Sequence, residues 1–74
     1  MPELPVISWR ECVHALEQVG YSVARTRGSH LRVRCPGRDP VTIPRHQERD
    51  RTTLRSIIRQ AGLTVEEFIA LLEA

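Results

Sequence analysis

Apolar residues recur along this chain with two periods. Trp9, Cys12, Val13, Leu16 and Val19 follow one another at helical spacing. Ser8 and Glu11 ahead of them make an S-x-x-E capping box, and Gly20 behind them is a natural stop. The pattern predicts a first helix over about 9–19, with His14 off the apolar stripe and exposed. Residues 1–7, with Pro2 and Pro5, predict a short extended lead-in.

The period then drops to two. Tyr21 to Thr26 reads as a first strand and Gly28-Ser29 as a tight turn. His30 to Cys35 reads as a second strand, with Leu31, Val33 and Cys35 on one face and His30, Arg32 and Arg34 on the other. The run Pro36-Gly37-Arg38-Asp39-Pro40 is a turn, and Val41-Thr42-Ile43 a third strand that Pro44 stops.

Helical spacing returns after a charged connection over 45–50. Asp50, Thr52 or Thr53 caps a helix that buries Leu54, Ile57, Ile58 and Ala61 and ends at Gly62. Thr64 and Glu67 form a second capping box, opening a helix that buries Val65, Phe68, Ile69 and Leu72. The predicted fold class is α+β, in the order α-β-β-β-α-α. A three-stranded antiparallel sheet packs on the helices as a two-layer sandwich, because helices are the only cover for its apolar face. The other face, carrying His30, Arg32 and Arg34, stays open.

Length bounds this picture. Seventy-four residues predict one domain, 1–74, and exclude a Rossmann unit or a barrel enzyme. Charge sharpens it. All 11 basic residues are arginine. Ten of them lie in 25–59 with only Asp39, Glu48 and Asp50, a net +7, while the rest sets Arg10 against six glutamates, a net −5. A basic middle between acidic ends points to a polyanion, most simply nucleic acid. A solvated basic face is the plainer alternative. Cys12 and Cys35 make no disulfide framework or C-x-x-C motif and read as small buried thiols. No apolar run reaches membrane-span length and no signal peptide is visible, so a cytoplasmic protein with no membrane partner is expected.

The chemistry-bearing residues cluster in 25–35. Arg25, Arg27, Arg32 and Arg34 surround His30, with Gly28-Ser29 just before it. Arginine forks suit phosphate oxygens. Gly28 lets backbone approach a ligand, and turn amides can bind an anion. His30 can exchange a proton near neutral pH. A base among phosphate binders is what cleavage of RNA by its own 2′-OH needs; an exposed strand histidine without a role is the alternative. Metal-ligand spacing is absent, so no metal and no cofactor are expected. A Ser-His-Asp arrangement is not expected either. Tyr21 is the one aromatic in the strands, too few for a base-stacking platform.

The run Gly20-Tyr21, Arg27-Gly28-Ser29-His30, Val41-Thr42-Ile43-Pro44-Arg45-His46 and Thr53-Leu54-Arg55-Ser56-Ile57-Ile58-Arg59-Gln60-Ala61-Gly62-Leu63 resembles the HicA mRNA-interferase toxin family. The resemblance covers about residues 8–72. It implies a double-stranded-RNA-binding-domain-like fold, an RNA-cleaving histidine at His30, and a HicB-type antitoxin covering the active surface. Two departures stand out. Thr52-Thr53 occupies a place where the family often has Gly-Thr, and arginine replaces the family's lysines.

The leading reading is a toxin that cleaves mRNA as a metal-independent endoribonuclease. His30 takes the 2′-OH proton as general base. Arg27, Arg32, Arg34 and Arg45 hold the phosphate, with Gly28, Ser29 and His46 completing the RNA-binding set. The general acid is His46 or water, and His46 either faces the site or caps its loop. Arg55 and Arg59 form a second RNA or antitoxin contact, or a solvated helix face. A HicB-type antitoxin predicts a hetero-oligomer. The alternative is a non-catalytic double-stranded RNA-binding module, which needs no titrating group at position 30. A protein-interaction module alone predicts no RNA affinity.

Overall fold

The computed structural model of the chain describes residues 4–45 and 51–74. Its elements run α1 (Trp9–Glu17), β1 (Ser22–Arg27), β2 (His30–Arg34), β3 (Val41–Pro44), α2 (Arg51–Gln60) and α3 (Val65–Glu73). This is the α+β order that the periodicity predicts.

The helix ends follow the local chemistry. Ser8 and Thr64 each accept a hydrogen bond from the backbone N–H three residues on, and Glu11 and Glu67 reach back to the cap amides. Four otherwise unsatisfied amides are thereby paired. At the end of α1 the Gly20 amide donates to the Glu17 carbonyl and the Tyr21 amide to Leu16. That is a Schellman turn, with Gly20 at φ 117°. Helix α1 is therefore two residues shorter than its apolar stripe. The same pattern closes α2, where Gly62 and Leu63 donate to Arg59 and Ile58. Helix α2 starts at Arg51, so Thr52 and Thr53 lie inside it rather than capping it. The alternative cap, Asp50, falls outside the described residues.

The sheet is antiparallel in the order β1-β2-β3. Leu31 pairs with Ile43 and Val33 with Val41, and all four are buried. Helices α1 and α2 pack on β3, and α1 also packs on α3. Leu16, Leu54, Ile57, Ile58, Ala61 and Phe68 complete the layer between sheet and helices.

Three core residues depart from expectation. Leu4 and Ile7 belong to the core rather than to a bare lead-in, and Arg51 Nε donates to the Leu4 carbonyl at 2.8 Å, tying that segment to α2. Tyr21 precedes the strand instead of opening it. Its ring is buried and its hydroxyl donates to the Asp39 carbonyl at 2.8 Å. Burial pushes its phenol above the ordinary range, so it stays a neutral donor. In α3 only Phe68 is fully buried, while Val65, Ile69 and Leu72 are half-covered. Among the described elements, α3 packs on α1 and α2. Among the described residues no helix is long and apolar enough to cross a membrane.

Candidate functional site

The face of the sheet away from the helices is where the charge collects. Cross-strand register decides which side chains share it. Arg27 pairs with His30, and His30 with Pro44. Arg25 pairs with Arg32, and Arg32 with Thr42. Ser22 pairs with Arg34. Opposed residues point to the same side of a sheet. Since Leu31 and Val33 face the core, these pairs face solvent.

One irregularity makes this possible. In the run Ser22-Val23-Ala24-Arg25-Thr26-Arg27, a regular strand would put Val23, Arg25 and Arg27 on one face. A bulge between Val23 and Arg25 breaks the alternation. Val23 stays opposite Val33 on the core side, while Arg25 and Arg27 turn to the open side. Periodicity alone does not report the bulge. Its one trace in the sequence is that conflict of parity.

Gly28-Ser29 closes the β1–β2 hairpin. Gly28 has φ 56° and no other residue of the turn is at positive φ, as a type II′ turn requires. The turn is pinned to the end of β3, because the Arg45 amide donates to the Ser29 carbonyl.

These elements enclose an open groove of about 610 Å³, lined by Ala24, Arg25, Arg27, His30, Arg32, Arg34 and Thr42. Among the described residues no carboxylate lines it. Arg32 Nη1 reaches Thr42 Oγ1 at 3.4 Å, a long contact that leaves most of the guanidinium's donors available. Like charges opposed across a strand pair oppose folding. A face built this way is poised for an anion that bridges its cations.

Of the residues singled out from sequence, Arg27, His30, Arg32 and Arg34 come together in this groove, joined by Arg25. Gly28 and Ser29 flank it in the turn. The Arg45 guanidinium lies elsewhere, 5.3 Å from the centre of the Trp9 ring, which Arg10 also approaches at 5.2 Å. His46 lies outside the described residues. Thr42 and Ala24 are additions that only the register reveals. Other arginines have structural duties: Arg38 Nη1 donates to the Ala61 carbonyl at 2.7 Å, capping the end of α2. Among the described residues no three His, Cys, Asp or Glu side chains gather as metal ligands would.

A comparison with curated proteins finds no match. The family model described as "HicA toxin of bacterial toxin-antitoxin" matches residues 9–63, from the start of α1 through the glycine stop of α2. With three-quarters of its length inside that match, the chain belongs to the HicA toxin family, the toxin half of bacterial toxin–antitoxin pairs.

Proposed function

We propose that this toxin is a metal-independent endoribonuclease that cleaves mRNA and is neutralised by a HicB-type antitoxin lying over its open sheet face. The observation that carries the reading is the groove itself, four arginines around one histidine with no acid among the described residues that line it.

The chemistry follows from those groups. Arginine forks bind the non-bridging oxygens of a phosphodiester and offset the charge that grows on them as the 2′-oxygen attacks. Neutral His30 accepts the 2′-OH proton, the new O–P bond forms, and the bond to the 5′-oxygen breaks. The products are a 2′,3′-cyclic phosphate and a 5′-hydroxyl end. The leaving oxygen takes its proton from water or from His46. Arg27, directly opposite His30, is the arginine best placed to hold the reacting phosphate. Gly28 and Ser29 set the turn that fixes this pair, and Arg32 and Arg34 bind the adjoining backbone. Arg45, held by Trp9, supports the turn through its amide rather than contacting the groove.

The test is cleavage of a synthetic RNA by wild type and by His30→Ala, with and without EDTA. Loss of a general base costs about 10²–10⁴ in rate. His30 is exposed and opens no cavity when removed, so the variant should keep its fold and its RNA affinity. EDTA should leave the wild-type rate unchanged. Wild-type cleavage by His30→Ala would assign the chemistry to another group.

A further inference from the structure

The cations of the open face form rungs, and their order has a direction. Arg27 and His30 make the first rung, Arg25 and Arg32 the second, and Arg34, opposite Ser22, the third. Residues two apart in a strand rise roughly 6.6–6.8 Å, a spacing of the same order as that between successive phosphates of one nucleic-acid strand. Across the sheet the charge stops, because β3 offers Pro44 and Thr42 at the first two rungs. Beyond the first rung the hairpin turns at Gly28-Ser29, and the Arg45 guanidinium is engaged with Trp9. Among the described residues the cations of this face thus run along β1 and β2 from His30 toward Arg34.

We propose, resting on the ribonuclease reading, that a single RNA strand lies along β2 with its scissile phosphate at the Arg27–His30 rung. The next two phosphates, both on the same side of the cut, then sit on the Arg25–Arg32 and Arg34 rungs. The enzyme therefore reads its substrate one-sidedly. It needs two further phosphates on one flank and gains nothing from phosphates on the other. The absence of an aromatic from the groove makes this grip a matter of backbone charge rather than base stacking.

The test uses 2′-O-methyl oligonucleotides of about nine residues with one unprotected ribose, so that a single linkage can be cut. Mixed bases flank that ribose, and the series is trimmed from each end in turn. Trimming one flank should lower kcat/KM in two steps of about two- to fivefold each, the range of exposed charge pairs. Trimming the other should do nothing. In Arg34→Gln the outermost step should vanish. Equal dependence on both flanks, dependence on neither, or an outer step that persists in Arg34→Gln would overturn the proposal.

The same oligonucleotides with the ribose blocked separate this proposal from the reaction it rests on. The slope of log affinity against log salt should shrink by about 0.7 for each phosphate removed from the reading flank. Binding that is one-sided without any cleavage would sink the ribonuclease reading and leave the strand path standing. Cleavage with symmetric binding would do the reverse.

Discussion

Arg25 and Arg32 stand opposite each other on an open face whose described lining holds no carboxylate, an arrangement the fold tolerates rather than needs. Replacing Arg25 by threonine keeps a good strand former and removes one of two facing charges. Arg25→Thr should raise stability by a few tenths of a kcal/mol at low salt. The gain should shrink as salt screens the pair, and RNA affinity should fall. Thermal melts of the two proteins across a salt series check this. A variant less stable at every salt concentration would mean that the pair is not repulsive in place. His30 belongs to the same class of residue, exposed and free of packing duty. Arg38 and Arg51 look alike in sequence but donate to backbone carbonyls, and their loss is expected to weaken the fold instead. An arginine's charge is legible in sequence. Its partner is not, because the carbonyls that engage these two lie 23 and 47 positions away.

At the scale of elements, local chemistry and long-range pairing divide the work. Both capping boxes and both glycine stops form where their residues stand in the chain, because each motif closes within six residues. The Glu67 carboxyl shows what such a cap does. The hydrogen bond from the Thr64 amide, then that from its hydroxyl, holds it below the ordinary glutamate range, with Arg38 nearby adding to the effect. A carboxyl depressed in the folded state contributes stability that is present above its unfolded value and lost as pH falls through its folded value. The start of α3 should therefore loosen as the solution is acidified below the usual glutamate range. Glu67→Gln should flatten that dependence. Amide exchange of Thr64, whose N–H donates to Glu67 at 2.8 Å, reports it directly. Identical acid profiles in the two proteins would show that the carboxylate is not responsible. The Val23–Arg25 bulge is the opposite case. It is a feature of the register between β1 and β2, and that register is not local to β1.

Among the described residues, α1 and α3 are acidic on balance, while α2 carries Arg51, Arg55 and Arg59 and the open sheet face carries four arginines. Glu11, Glu17, Glu66, Glu67 and Glu73 lie on α1 and α3, while Arg25, Arg27, Arg32 and Arg34 lie on the sheet face away from the helices. The result is a field with a direction, and it should steer an acidic antitoxin onto the face proposed to bind RNA. Association of a HicB-type antitoxin should slow as salt rises, and Arg32→Gln should slow it further at low salt. RNA and antitoxin should compete. Stopped-flow association and a competition titration measure both. An antitoxin that binds at a salt-independent rate and leaves RNA bound would place its contact on another face.

Periodicity, caps and charge runs in the sequence determined the order of elements, the helix stops, the core face of β2 and the clustering of arginine about His30. Those features depend on neighbours within a turn or a strand. Tertiary structure alone decided that Leu4, Ile7 and Tyr21 enter the core and that α3 is only half-covered. It also decided that a bulge turns Arg25 and Arg27 to the open side, and that Arg45 stacks on Trp9 instead of facing the groove. The core and Trp9 outcomes rest on contacts between segments far apart in the chain, which leave no period or spacing in a linear sequence, and the bulge shows there only as a conflict of parity.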